Sequence, residues 1–179
     1  MPRIVHAILS LQQHQDRLEG QPEIYRPSAC PHCGLTRLRG HGCDARKADR
    51  RPEPSGSLNP VSIPRFFGQG CRQTCSRRPE CVAPRRWYGW AVQPVVLLWL
   101  LAGGSLPQAA VQGGVDRHTV RRWWVWLKER SETFRFWLPS RFPELGRAVD
   151  VAGFWHGCRE AMPLSRAMVW LDLEGLAVP

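Results

Sequence analysis

The sequence predicts an α+β fold, mainly α, with a small zinc-ribbon-like N-terminal head followed by a helical helix-turn-helix bundle. Three observations carry this. Cysteines cluster in two groups in the first half of the chain. A polar stretch rich in Pro, Gly and Ser separates short runs suited to strands. From residue 84 onward apolar residues recur at helical spacing around a Gly-Gly turn. The expected divisions are an N-terminal extension over residues 1–27, the head over 28–82, a helix-turn-helix domain over 83–138 and a C-terminal helical cap over 139–179.

Composition narrows the function classes before any motif is read. A chain of 179 residues that is 43% hydrophobic and contains nine Trp can bury one modest core or two small ones, which excludes disorder throughout. The net charge of +10 is concentrated: residues 61–130 carry 11 basic and 3 acidic side chains, whereas residues 131–179 carry 5 and 6. Such a basic middle suits phosphate contacts and salt-sensitive affinity for nucleic acid. The longest apolar run, residues 95–102, is far shorter than the roughly 20 residues of a membrane-spanning helix, and the first twenty residues lack a signal-peptide pattern. A cytoplasmic chain without a membrane partner is expected. In that reducing compartment seven cysteines, an odd number, favour metal ligation or burial over disulfides.

The head is read from its cysteines. Cys30-Pro31-His32-Cys33-Gly34 has the two-residue spacing and following Gly of a zinc knuckle, whose turn aims backbone N–H groups at the sulfurs. A second knuckle of the same kind would need Cys at 68, three residues before Cys71, but position 68 is Gly. Cys30, Cys33, Cys71 and Cys75 make the simplest four-ligand set for a structural zinc ion, with His32, His41, Cys43 and Cys81 within reach of it. Residues 35–39 and 61–67 are expected as short strands, the second on an edge because it contains Pro64. Residues 49–60 are expected as a polar loop between them.

The bundle begins near Pro84. The apolar pattern through Val92, Val96 and Leu100 is interrupted by Pro94, so the helix either kinks there or restarts with Pro in its first turn. A second helix from about Ser105 turns Leu106, Ala109 and Ala110 inward and ends at Gly113 and Gly114, where a left-handed backbone is cheap. Asp116 is the expected N-cap of the third. Val120, Trp123, Trp124 and Leu127 then share one side, and Arg117, His118, Arg121 and Arg122 point away from it. Two further short helices flank Pro163.

This geometry predicts a DNA reader. Arg85, Arg86 and Thr119 are the expected phosphate contacts, with Arg117, His118, Arg121 and Arg122 at base edges in a major groove. Double-stranded DNA is the expected partner, joined by a transposase or a second copy of the chain. The competing reading is a protein-interaction module or an inactive remnant of a mobile-element protein.

Five motifs in order, CPHCG at 30–34, IPRFF with C-x-x-TCS over 63–76, RRWYGWAVQ at 85–93, LLAGGSL at 100–106 and RHTVRRWW at 117–124, resemble a family of short bacterial proteins linked to insertion-sequence transposases. The resemblance covers most of residues 28–170. It implies a zinc-binding head with Cys30, Cys33 and Cys71 as ligands and DNA contact by the helix beginning at Arg117. Gly68 departs from the pattern, in which a Cys is expected, and this leaves the fourth ligand open.

Catalysis is not expected. Carboxylate-type DNA cleavage gathers three acids around divalent ions, whereas the acids here are scattered over short helical pieces. There is also no nucleotide-binding Gly-rich loop and no nucleophile with a paired base.

Overall fold

The computed structural model describes residues 2–46, 58, 60–83 and 88–178. It is a mixed α+β architecture, with an N-terminal β-rich region bearing a three-cysteine cluster and a C-terminal helical bundle. The polar loop expected over residues 49–60 lies almost wholly outside the described residues, as do the expected phosphate contacts Arg85 and Arg86.

Two small sheets build the head. In one, β1 (Ile4–Val5) runs parallel to β5 (Arg78–Pro79), with Ile4 opposite Arg78 and Val5 opposite Pro79. In the other, β2 (Leu38–Arg46), β3 (Val61–Gly68) and β4 (Thr74–Cys75) are antiparallel in that order. The first of these strands corrects the sequence reading, starting at Leu38 and extending to Arg46 instead of occupying residues 35–39. The position of β3 is also corrected, since it is the middle strand and not an edge. Pro64 is nevertheless tolerated because β4 pairs only with Phe66 and Phe67, leaving Pro64 with a partner on one side, Cys43. The register between β2 and β3 shifts between Gly40 and Cys43, a bulge just beside that proline.

Residues 1–27 are more than an extension. Ser10 caps α1 (Leu11–Gly20), its hydroxyl accepting the Gln13 N–H at 3.1 Å. The helix is polar on most sides and buries one residue, His14. A 3-10 turn over Pro22–Tyr25 then brings Tyr25 beneath it. Because side chains alternate along a strand, the two residues of β1 go to different cores. Ile4 joins the core of the helical bundle, and Val5 packs with Ile8, Tyr25, Phe66 and Cys75 in the head.

Pro84, the expected start of the bundle, lies outside the described residues, as do residues 85–87. The bundle's first helix, α2 (Val92–Leu101), has Pro94 in its first turn, where the missing N–H has no helical acceptor to lose. Tyr88 precedes it, buried and edge-on to Trp123 with ring centroids 5.7 Å apart. Next comes α3 (Leu106–Gly113), opened by a capping box in which Ser105 Oγ accepts the Gln108 N–H and the Gln108 side chain accepts the Ser105 N–H. Gly114 closes it at φ +59°, the left-handed position expected there. Gly113 answers a different need: a Cβ on it would sit 2.3 Å from Val96 Cγ2, so the glycine lets α3 lie close to α2.

The longest helix is α4 (Arg117–Trp137), followed by α5 (Val151–Ala161) and α6 (Leu164–Leu173), which break apart at Pro163 as expected. Val120, Trp123, Leu127 and Phe134 form the buried stripe of α4. Each large side chain removed from water there contributes about 1.5–3 kcal/mol. Two polar side chains in this core form a relay: Trp155 Nε1 donates to Ser131 Oγ at 2.9 Å, and Ser131 Oγ donates to the Leu127 carbonyl at 2.6 Å.

Candidate metal centre and the exposed basic helix

Two loops of the head have the same backbone. In the first, the Cys30 N–H donates to Leu35 O at 2.8 Å and the Gly34 N–H to Cys30 O at 2.9 Å. In the second, the Gly68 N–H donates to Gln73 O at 2.8 Å and the Arg72 N–H to Gly68 O at 2.8 Å. The residue after the last cysteine of each loop is left-handed, Gly34 at φ +73° and Arg72 at φ +58°. Arg72 holds that conformation without glycine's freedom. Cys33 and Cys71 therefore occupy equivalent places.

These loops converge on three sulfurs. Cys30, Cys33 and Cys71 hold their Sγ atoms within 4.8 Å of one another, with Cys30 and Cys71 3.5 Å apart. Thiolates around a tetrahedral zinc, with Zn–S near 2.3 Å, stand about 3.8 Å apart, so the spacing suits a metal ion. The His32 backbone N–H, helped by that of Cys33, holds the Cys30 thiol below its ordinary pKa against the opposing effect of burial. At Cys71 the Gln73 N–H favours the thiolate, but burial and the neighbouring Cys30 and Cys33 together push the thiol up. Thiolates held at this spacing repel one another, a cost that a divalent cation between them removes. The cluster can coordinate a metal ion through Cys30, Cys33 and Cys71.

Cys75 is not with them. It lies on β4 opposite Phe66, buried in the head's apolar cluster, its Sγ donating to the Phe66 carbonyl at 3.6 Å. Burial pushes its thiol pKa up. This corrects the expected fourth ligand: the strand's alternation turns Cys75 to the apolar side. Three of the other residues weighed for that role are also elsewhere. Cys81 packs under β1 and α1 with its thiol pushed up to about 11 by burial, and Cys43 is exposed on β2. His41 lies against the Phe67 ring, centroids 5.6 Å apart. Among the described residues no other group of three or more Cys, His, Asp or Glu side chains has metal-binding spacing.

No protein-family model, curated protein or solved structure matches this chain.

The second feature of interest is the start of α4. Residues 114–116 separate it from α3, and Asp116 caps it by accepting the His118 N–H at 2.9 Å and the Thr119 N–H at 3.3 Å. Arg117, His118, Arg121 and Arg122 are exposed, and Thr119 is half-buried with its hydroxyl accepting from Arg122 Nη2 at 3.1 Å. Four of the sequence-selected side chains thus share the solvent side of one capped helix, opposite Val120, Trp123 and Leu127. At the other end of that helix Phe136 is 76% exposed.

Polar groups that tie the head to the bundle escaped the sequence reading. Glu80 is 2% exposed, accepts the Ala7 N–H at 3.0 Å and faces Arg166 Nη1 of α6 at 3.6 Å. Its carbonyl accepts from Trp90 Nε1 at 2.7 Å. Isolated acids such as this have no local signature, because their partners come from distant segments.

Proposed function

We propose that this chain is a double-stranded DNA-binding protein of the transposase-associated type, with α3 and α4 acting as a helix-turn-helix and α4 entering the major groove. The observation that carries this reading is the exposed set Arg117, His118, Arg121 and Arg122 at the capped start of α4, above a buried Val120, Trp123 and Leu127 stripe. Arginine forks at the first turns of a helix can reach guanine edges bidentately and phosphates beside them. Arg85 and Arg86, with Thr119, are assigned to phosphates. Zinc at Cys30, Cys33 and Cys71 has a structural part, pinning the two head loops to one another. This chain itself is assigned no catalysis, since acids such as Asp116, Glu132, Glu80 and Asp172 serve caps, ion pairs and backbone N–H groups. The free thiols fit a reducing compartment such as the cytoplasm. Among the described residues no helix is long and apolar enough to cross a membrane.

A selection of random duplexes on purified, metal-analysed protein tests this, repeated with Arg121→Ala/Arg122→Ala. A sequence motif that the double variant loses supports α4 as the reader, and the residual binding of that variant should keep the salt dependence set by the phosphate contacts. A folded protein that binds no duplex at low salt would refute the proposal. A second reading, a protein-interaction module of a mobile element, draws on the exposed Phe136 and the partly exposed Trp137 at the far end of α4. A transposase or a second copy of the chain is the partner it calls for.

A further inference from the structure

Gly68 stands in its loop where Cys30 stands in the other. Both donate their N–H to the carbonyl five residues on, both accept the N–H from four residues on, and both precede by three the second cysteine position, Cys33 or Cys71. Position 68 is therefore the fourth ligand's place by backbone geometry. A Cβ there would lie 3.0 Å from Cys30 Sγ and 3.2 Å from Cys71 Sγ, so a side chain at 68 would enter the ligand cluster itself. Among the described residues no other donor joins the three sulfurs.

We propose that a metal ion held by Cys30, Cys33 and Cys71 keeps one coordination position on the Gly68 side for a donor from outside the chain, and that a low-molecular-weight thiol fills it. The inference rests on the metal-centre reading above. Three features favour that donor. A fourth sulfur completes the set that the paired loops are built to present. Gly68 and Cys30 are buried, but Gln69, Gly70 and Cys33 beside them are exposed, so the way in for a small molecule runs past Cys33. Arg72 and Arg37, whose carbonyl accepts the Gln69 N–H at 3.2 Å, place positive charge on the same loops and favour an anionic ligand. On entry the thiol loses its proton to solvent and displaces one solvent molecule, forming one metal–sulfur bond with no change in oxidation state.

Cobalt(II) is the probe, because its sulfur charge-transfer absorption scales with the number of bound thiolates. The full chain is loaded with Co(II) in a buffer free of thiol and then titrated with 2-mercaptoethanol, beside Gly68→Cys and Gly68→Ala. Native protein should gain about 1.3-fold in charge-transfer intensity as three thiolates become four, while Gly68→Ala, whose methyl would lie 3.0 Å from Cys30 Sγ on the side the thiol enters, should stay at the lower intensity. Gly68→Cys should show the higher intensity from the start and not respond. A native spectrum that already equals that of Gly68→Cys and ignores thiol would overturn the proposal, since another residue would then supply the donor. So would Gly68→Ala reproducing the Gly68→Cys spectrum, which would make volume and not ligation the cause. Charge-transfer bands in Gly68→Cys alone would also overturn it, showing that three thiolates do not retain the ion. Bands in none of the three proteins would refute the metal centre itself, a separate failure.

Discussion

Asp172 of α6 accepts the backbone N–H groups of both Arg3 and Ile4, at 2.6 and 2.8 Å, across 169 and 168 positions of the chain. The same strand spends its carbonyls on β5, Arg78 N–H donating to Arg3 O and Glu80 N–H to Val5 O. These two donors, the Ile4 N–H buried and the Arg3 N–H partly so, find no acceptor on β5, and a single carboxylate from α6 satisfies both.

Removing that carboxylate should therefore cost more than its exposure suggests. Asp172→Ala strands the buried Ile4 N–H and the part-buried Arg3 N–H and is expected to lose about 2–3 kcal/mol in chemical denaturation. Asp172→Asn keeps an acceptor oxygen and isolates the charge. Burial raises the Asp172 carboxyl above its ordinary value of 3.8, against the N–H bonds and nearby arginines. Folding thus favours the protonated form: the contribution is whole below about 3.8 and is lost as pH rises through the raised folded-state value. Stability of Asp172→Asn relative to native should improve over that rise, and a difference that stays flat with pH would count against a raised pKa.

His14 gives the opposite slope. Its Nε2 faces the Ser62 carbonyl at 2.9 Å, which can only accept, so Nε2 carries the hydrogen and Nδ1 accepts from the Tyr25 hydroxyl. Burial lowers its pKa from 6.5, only partly offset by the Ser62 bond. Stability from this group is whole above about 6.5 and declines as pH falls below it. Thermal melts from pH 8 to 5 should show that decline in the native chain and a weaker one in His14→Gln. Equal slopes would place the titration elsewhere.

Ser131→Ala tests the relay inside the bundle. Without the hydroxyl, Trp155 Nε1 loses its acceptor in the core, and an expected loss of about 2 kcal/mol should be visible in urea unfolding. A change under 0.5 kcal/mol, an order-of-magnitude threshold for a surface-like effect, would mean the indole finds another partner.

Gly113→Ala should destabilise by about 1–3 kcal/mol because its methyl meets Val96 at 2.3 Å, even though alanine favours the helix. Adding Val96→Ala should remove most of the clash, so the double variant should be more stable than the sum of the two single losses. Strict additivity would show that the helices yield instead of clashing.

Local chemistry made part of this fold legible. The Asp116 cap and the 3-4-7 spacing of Val120, Trp123, Trp124 and Leu127 locate α4, and Cys30 and Cys33 with Gly34 locate one loop of the metal centre. The rest depends on distant partners. The helix α1 carries one buried residue and no apolar stripe, and β2 contains two glycines and is exposed along nearly its whole length. Spacing could not say which face of β4 carries Cys75, because the answer is set by its pairing with Phe66. Gly68 is the converse case. Sequence alone reads it as a missing ligand, while the backbone of its loop retains the ligand's place.

The placement of Ile4 also fixes an order of events during synthesis. Its side chain belongs to the bundle and its N–H to Asp172, so this early-made strand cannot finish folding until α6 has been translated. At ordinary elongation rates that interval is roughly 10–30 s, during which an apolar Ile-Val pair waits in an unfinished state. The ribosome therefore delivers β1 long before α6, the helix that supplies its missing partners.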